Sequence, residues 1–352
     1  MAMMNEKKNP FSFQLDVSDF LPADREEKQS LVIMRKSVSF WRDGFRRFKR
    51  NKIAMVSFFV IVFVMIFAFV MPAFYPYSYE QQIRGSENLA PMAYSADEQA
   101  LMEQGQSVFP HFMGTDSLGR DTMVRLMMGS RISLLVGIVA SVLVLLIGSV
   151  YGAITGYFGG KVDMIMMRLV DIIYTVPDIL IIILLMVTLK YPLQNLADTV
   201  PGFGWINTLG VGLICIFIVF VLLYWVGMAR IVRSQILTLK ELEFVTAAKA
   251  LGASHGRIIK KHLLTNCMGT LIVTTTLQIP ASIFTESFLS FIGIGVAAPM
   301  PSLGSMASQA IGGITSYPYR LLAPAIMISL IILSFNLIGD GLRDAFDPKL
   351  KN

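Results

Sequence analysis

Six runs of about twenty apolar residues, each nearly free of charge, leave this chain few folds to adopt. They cover residues 53–73, 132–157, 169–189, 209–232, 269–292 and 321–338. A run of that length crosses the hydrocarbon of a bilayer as a helix, because in lipid each backbone N–H and C=O must find its partner within the segment. The expected fold is an all-α polytopic membrane protein with six transmembrane helices. Composition agrees: 54% of the 352 residues are hydrophobic and 15% are charged, values foreign to a water-soluble globule. The fifth run is the most polar, interrupted by Thr274, Thr275, Thr276, Gln278, Pro280 and Glu286. Its polar side needs protein neighbours or a wet cavity rather than lipid.

Basic residues near a span are retained in the cytoplasm. Lys and Arg crowd the segment before the first run, from Lys7 to Lys52, and the connection after the fourth, from Arg230 to Lys261. Both lie inside on this rule, and six crossings return the C-terminus to the same face. The connection at 191–208 carries no Lys or Arg, as an outer loop should. Arg120, Arg125 and Arg131 oppose this orientation, but the long basic N-terminus outweighs them. The net charge of +6 is thus a signal of topology: the bilayer is the expected partner and nucleic acid is not. Cys215 and Cys267 give neither a disulfide framework nor a zinc spacing, and His111, His255 and His262 fall on opposite sides of the membrane, so no metal site is expected.

Along the chain, residues 1–36 read as a polar cytoplasmic tail. Residues 37–52 set Phe40, Trp41, Phe45 and Phe48 among Arg42, Arg46, Arg47, Lys49 and Arg50, which suits either a helix lying in the inner interface or a plain basic flank. The first transmembrane helix follows at 53–74, then an extracytoplasmic insertion with an amphipathic segment at 75–131. A five-helix core occupies 132–342, and 343–352 is a cytoplasmic C-terminus. The insertion is too poor in apolar residues for a core of its own. Its last part, Gly114-Thr-Asp-Ser-Leu-Gly-Arg-Asp121, is a turn leading into an interfacial helix that ends at Arg131, or into a surface that meets an external partner.

The connection at 233–266 is the most specific segment. A helix from Glu243, a glycine stop at Gly252 and a second, basic helix to Leu264 lie between two spans. Phe244, Ala247, Ala248 and Leu251 share one face at helical spacing, so small side chains admit a close approach by another surface. Thr238 and Glu241 are spaced as a capping box, and Gly252 suits the left-handed helix end. The pattern is that of a docking device.

Several chemistries are disfavoured. Gly159-Gly160-Lys161 is followed by Val162 and lacks the upstream glycine of a phosphate loop. No Gly-x-Ser-x-Gly elbow or His-Glu-x-x-His pair occurs, and the loops are too short for a catalytic domain. An enzyme is not expected.

The docking connection, the Gly114–Asp121 turn and the tail from Gly339 to Pro348 together resemble the second permease subunit of bacterial oligopeptide, dipeptide and nickel ABC importers. That family carries a Glu-Ala-Ala, three residues, Gly, nine residues, Ile-x-Leu-Pro signature. Here it reads Thr246-Ala247-Ala248, Gly252, His262, Leu264 and Thr265, with Thr for Glu, His for Ile and Thr for Pro. The resemblance implies a type I ABC importer permease fold in the bacterial cytoplasmic membrane. It implies a heterodimer with a homologous second permease, two cytoplasmic ATPase subunits that bind ATP and Mg, and an extracytoplasmic peptide-binding protein. Glu243, Phe244, Ala247, Ala248, Leu251, Gly252, Ile258 and Leu264 would then couple to the ATPases. Alternating access would carry oligopeptides, with dipeptides or nickel as other cargoes of the same family. A gradient-driven secondary transporter and a membrane scaffold are the competing classes.

Ionisable and polar residues inside the bilayer are the candidates for the path. Glu286, with Gln278 and a helix break at Pro280, lines the translocation route or meets a peptide amino end; otherwise its carboxylate is hydrogen-bonded to the partner permease. Asp171 is expected to pair with Arg168 near the inner rim, Asp178 shares the ambiguity of Glu286, and Asp340, Arg343 and Asp344 cap the last span.

Overall fold

The structure, a computed structural model, describes residues 39–298 and 300–346. The tail at 1–36 and the last residues of the C-terminal segment lie outside the described residues. Among the described residues the chain is helical, with one isolated bridge between Thr115 and Asp121 and no strand.

In chain order the helices are α1 (Phe40–Arg50), α2 (Lys52–Phe69), α3 (Ala96–Glu103), α4 (Thr122–Phe158), α5 (Gly160–Thr175) and α6 (Asp178–Thr199). They continue with α7 (Val211–Leu223), α8 (Trp225–Leu239), α9 (Glu243–Ala250), α10 (Met268–Phe291), α11 (Leu303–Ala310) and α12 (Tyr319–Phe346). Six helical stretches are long and apolar enough to span a membrane: Lys52–Ala73, Thr122–Phe158, Asp178–Thr199, Val211–Leu239, Met268–Phe291 and Tyr319–Phe346.

The contacts divide the chain after Asp43. On the near side, Phe40 and Trp41 meet edge to face at 5.8 Å. From Gly44 on, the rest of α1 leads into the bundle: Phe48 is buried in the core shared with Ile338 and Ala345, while Phe45 is exposed beneath the Lys49 ammonium. Phe48 therefore does not join an exposed aromatic side. Asn51 caps α2 by accepting from the Ala54 N–H at 3.1 Å.

Two spans differ from their sequence expectation. The third does not start at residue 169, because Pro177 divides the run. A residue preceding proline is pushed out of the helical region, and Val176 is extended, with φ −89 and ψ 137. Helix α5 ends at Thr175, α6 begins at Asp178, and the span runs on to Thr199, taking in much of the expected outer loop. The amphipathic segment 122–131 is no separate interfacial helix either. It is the start of α4, whose 37 residues make a rod of about 55 Å, well beyond the roughly 30 Å of hydrocarbon.

Helix α4 is the central post, and small residues set its contacts. Gly148, Gly152 and Gly156, four residues apart, face α8. A Cβ on Gly152 would stand 2.4 Å from the Ala229 carbonyl oxygen, and one on Gly156 would stand 2.9 Å from Ile236. On another side Gly137 admits Ile283 of α10. Without a hydrophobic drive between helices in lipid, such close backbone approach is the main source of packing attraction.

The insertion at 75–121 is held by polar contacts instead of a core of its own. Arg320, at the start of α12, donates to the Thr115 carbonyl from Nε (3.1 Å) and Nη2 (2.8 Å), and the Tyr319 hydroxyl donates to the Leu89 carbonyl at 2.9 Å. His111 is fully buried between the carboxylates of Asp121 (2.7 Å) and Glu98 (3.1 Å), each of which caps the start of a helix.

Candidate functional site: the connection between the fourth and fifth spans

Helix α8 continues through Thr238, whose hydroxyl donates to the Ser234 carbonyl within the same helix. The expected capping box with Glu241 does not form. Helix α9 starts at Glu243 after an extended Leu242 with no side-chain cap. Its other end is as the glycine stop suggests. Gly252 has φ +80, its N–H donates to the Lys249 carbonyl and the Ala253 N–H to the Ala248 carbonyl, both at 3.0 Å. These two bonds form a Schellman motif, which a residue with Cβ enters only at a cost. The second helix is less regular than expected: a turn at His255–Arg257 widens into a π-helical stretch, Ile258–Leu263, before Leu264–Asn266 leads to α10.

One side of this connection is buried within the chain. Val245, Ala248, Ile258 and Leu263 pack with Tyr157 of α4, Ile236 of α8, and Cys267 and Leu271 at the foot of α10. Leu264 is half-buried against the same cluster. Ala248 and Ile258, expected to couple to the ATPases, are therefore buried against the bundle. Opposite them Glu243, Phe244 and Ala247 are exposed, and Leu251 is 88% exposed. Gly252 is exposed too, and a Cβ there would meet nothing within 4 Å. Around the second helix, Arg257, Lys260 and Lys261 border a shallow depression with Gly256 and Thr265.

Polar contacts tie the same connection to the bundle. The Tyr157 hydroxyl is 2.8 Å from His255 Nδ1, and the Lys249 ammonium lies 5.7 Å over the Tyr157 ring. Lys240 donates to the Gly156 carbonyl at 3.0 Å. Arg233 donates from Nε and Nη2 to the two oxygens of Asp163, each at 2.5 Å. This bidentate bond holds the Asp163 carboxyl below the usual range. Arg230 donates to Asp171 at 2.8 Å, so Asp171 pairs with α8 and not with Arg168.

The path candidates are placed differently from expectation. Glu286 is completely buried inside this chain. It accepts from the hydroxyls of Ser133 (2.7 Å), Ser290 (2.8 Å) and Ser287 (3.3 Å), so its carboxylate is met by hydroxyls of this chain. Pro280 is buried within α10, which runs from Met268 to Phe291 without the expected break. Gln278 is half-buried and reaches Ser282 at 3.4 Å. The open side of α10 carries Ala281, Phe284 and Thr285, the last at 2.6 Å from the Tyr224 hydroxyl. Asp178 sits in the first turn of α6, and Asp340, Arg343 and Asp344 are exposed at the end of α12.

Sequence reasoning passed over the Gly148, Gly152 and Gly156 stripe, although its four-residue period is written in the chain. It also passed over Ser287 and Ser290, one and four residues from Glu286, and Ser133, which no local spacing joins across 153 residues.

Comparison with known proteins accords with this architecture. Residues 148–352 match the family described as binding-protein-dependent transport system inner membrane component. Residues 39–91 match the N-terminal TM domain of oligopeptide transport permease C. The chain is 42% identical over 332 residues to the oligopeptide transport system permease protein OppC of Bacillus subtilis (strain 168), covering 94% of this chain and 97% of that one. It is 41% identical over 333 residues to the dipeptide transport system permease protein DppC of the same organism, covering 94% and 93%. Against the OppC of Escherichia coli (strain K12) the identity is 37% over 311 residues, covering 88% and 92%. The six membrane-spanning helices and these matches together make the chain a member of the family of binding-protein-dependent transport system inner membrane components, of the permease C type.

Proposed function

We propose that this chain is a permease subunit of an ATP-driven importer and forms half of a route for oligopeptides through the bacterial cytoplasmic membrane, with both termini in the cytoplasm. A homologous permease supplies the other half, two cytoplasmic subunits bind ATP and Mg, and an extracytoplasmic binding protein delivers the peptide. The observation that carries the reading is the two-sided connection at 243–264. Its inner side is fixed to three spans through Val245, Ala248, Ile258 and Leu263, while Glu243, Phe244, Ala247 and Leu251 face outward. A force applied to the outward side is transmitted to α4, α8 and α10 as a body, because a close-packed contact moves between discrete arrangements and does not bend smoothly. Closure of the ATPase dimer would thus rock the spans between inward-open and outward-open states. The route would pass along the open side of α10, at Gln278, Ala281 and Thr285, with Glu286 as a support behind it.

Oligopeptides are favoured by the match of residues 39–91 to an oligopeptide permease domain. Dipeptides are the second reading, since a dipeptide permease is 41% identical over a similar length. The test is purification of the tagged full chain from its native membrane in mild detergent, with mass identification of stoichiometric partners and of the ligand on any binding protein. Two ATPases, a second permease and a peptide-loaded binding protein are the expected result. A chain that purifies alone or as a homo-oligomer in several detergents would point to gradient-driven transport.

A further inference from the structure

Helix α3, in the insertion between the first two spans, is fastened to the molecule through one side chain. Of its eight residues only Glu98 is buried, and the others, Leu101 and Met102 among them, are exposed. A helix that short does not persist unaided in water. Glu98 uses one oxygen within its own capping box, where Oε2 accepts from the Ser95 N–H at 2.8 Å. The other, Oε1, meets His111 Nε2 at 3.1 Å. On the opposite side of the imidazole, Nδ1 meets Asp121 Oδ2 at 2.7 Å. Asp121 is held from further directions: Oδ1 accepts from the Val124 N–H at 2.9 Å, at the start of α4, and Oδ2 also accepts from the Tyr75 hydroxyl at 3.3 Å. The His111 side chain has no exposed surface, that of Asp121 is 1% exposed and that of Glu98 is 9%.

The charges that act on the imidazole are those of Asp121 and Glu98. Tyr77 stacks on the ring, and burial followed by the nearby carboxylates holds the Tyr75 and Tyr77 hydroxyls above the usual phenol value, so both stay protonated. Burial alone favours a neutral imidazole, but the hydrogen bonds and charge of Asp121 and then Glu98 outweigh it and keep the proton on above the ordinary histidine value. With that proton, both ring nitrogens donate and both carboxylates are met. Without it, one N–H remains for two acceptors. It stays with Asp121, whose contact is the shorter and the more deeply buried. The bare Nε2 then faces a Glu98 oxygen, two acceptors with no proton between them, which is unfavourable in a site shielded from water. Glu98 is the partner with water within reach, and it belongs to the element with nothing else buried.

We propose that His111 is a pH-operated catch: on losing its proton it keeps Asp121 and lets go of Glu98, freeing α3 while the start of the second span stays capped. The insertion thereby has two states, α3 fastened in acid and α3 released in alkali, with the bundle beneath it unchanged. The catch follows the medium outside the cell on the orientation proposed above, and that part of the inference rests on that reading.

The test is hydrogen exchange of the full chain in lipid nanodiscs, read by mass spectrometry from about pH 6 to about pH 9 and corrected for the intrinsic exchange rate. Residues 99–106 report on α3 and residues 126–134 on the start of α4. In the native chain the protection of 99–106 should fall about ten-fold or more across this range while that of 126–134 holds. Glu98→Gln sets an amide N–H opposite the neutral ring, so α3 should stay protected at the alkaline end. His111→Gln should remove the pH dependence, and should it fail to fold, the native chain and Glu98→Gln decide. Unchanged protection of α3 in the native chain would overturn the proposal. Joint loss at 99–106 and 126–134 would overturn it too, because His111 would then support the whole insertion, as would a loss that persists in Glu98→Gln and so belongs to another titrating group. The side is read separately, by labelling Ala100→Cys in intact cells with a membrane-impermeant maleimide. Labelling is expected, and its absence would overturn the outward orientation and with it the response to external pH.

Discussion

The Tyr157 hydroxyl, at the end of the second span, lies 2.8 Å from Nδ1 of His255 in the connection between the fourth and fifth spans. It joins a central helix to the segment proposed to receive the ATPase stroke, across 98 residues of sequence. Tyr157→Phe keeps the ring and its contact with Lys249 while removing this bond. The expected cost is about 1 kcal/mol, about five-fold in an equilibrium. Peptide-stimulated ATP turnover in the reconstituted importer should fall by a similar factor with basal turnover retained, and equal stimulation in the variant would remove Tyr157 from the linkage.

Gly252 is constrained by its backbone and not by its surroundings, since φ is +80 and a Cβ there would meet nothing within 4 Å. Gly252→Asn should therefore be tolerated, because Asn accepts the left-handed region, whereas Gly252→Val should cost about 1–2 kcal/mol and loosen the turn. The comparison is made by thermal unfolding and by peptide uptake. Similar behaviour of the two variants would mean that side-chain size, and not φ, governs this site.

Gly152 presents the opposite case. A Cβ there would come within 2.4 Å of the Ala229 oxygen and 2.8 Å of the Val232 Cβ, so Gly152→Val must separate α4 from α8. Gly227, on α8 itself, has open space around it, and Gly227→Ala should be neutral or stabilise by about 0.5–1 kcal/mol. Melting of both purified variants in detergent tests the contrast, with a large drop expected for the first alone.

His111 is buried, which by itself lowers its pKa, but hydrogen bonds and charge from Asp121 and then Glu98 outweigh burial and raise it. Tyr77 stacks on the imidazole at 4.4 Å and the Tyr75 hydroxyl also reaches Asp121. A folded-state value above the unfolded one means that the ionised triad adds its full stability below about pH 6.5 and loses it as pH rises through the folded value. Melting temperature should fall in the native chain as pH rises from about 6.5 to that value and level off above it, and His111→Gln should flatten the dependence. A slope that survives the substitution would trace the effect to another group.

Glu286 is held by three serines and has no exposed surface. Glu286→Ala should leave hydroxyls unmet beside a cavity and cost about 2 kcal/mol or more, while Glu286→Gln should cost far less. Neither should alter the ranking of peptides in an uptake competition. A changed ranking with unchanged stability would return Glu286 to the path.

The amino-acid sequence by itself determined the class of the molecule, since six long apolar runs in lipid can only be helices and the condition acts on each run separately. It also set the end of α9, where a glycine was required at one backbone position. The tertiary structure decided what depends on neighbours distant in sequence. It turned Ala248 and Ile258 inward to the feet of three spans and left Leu251 bare. It enclosed Glu286 among hydroxyls contributed in part by α4, and it moved the third span past Pro177 to Thr199. Periodicity shows that a helix has faces, but which face is covered depends on the helix that packs against it. Likewise a polar residue in an apolar run shows only that a partner is needed, and folding alone brings Ser133 to Glu286.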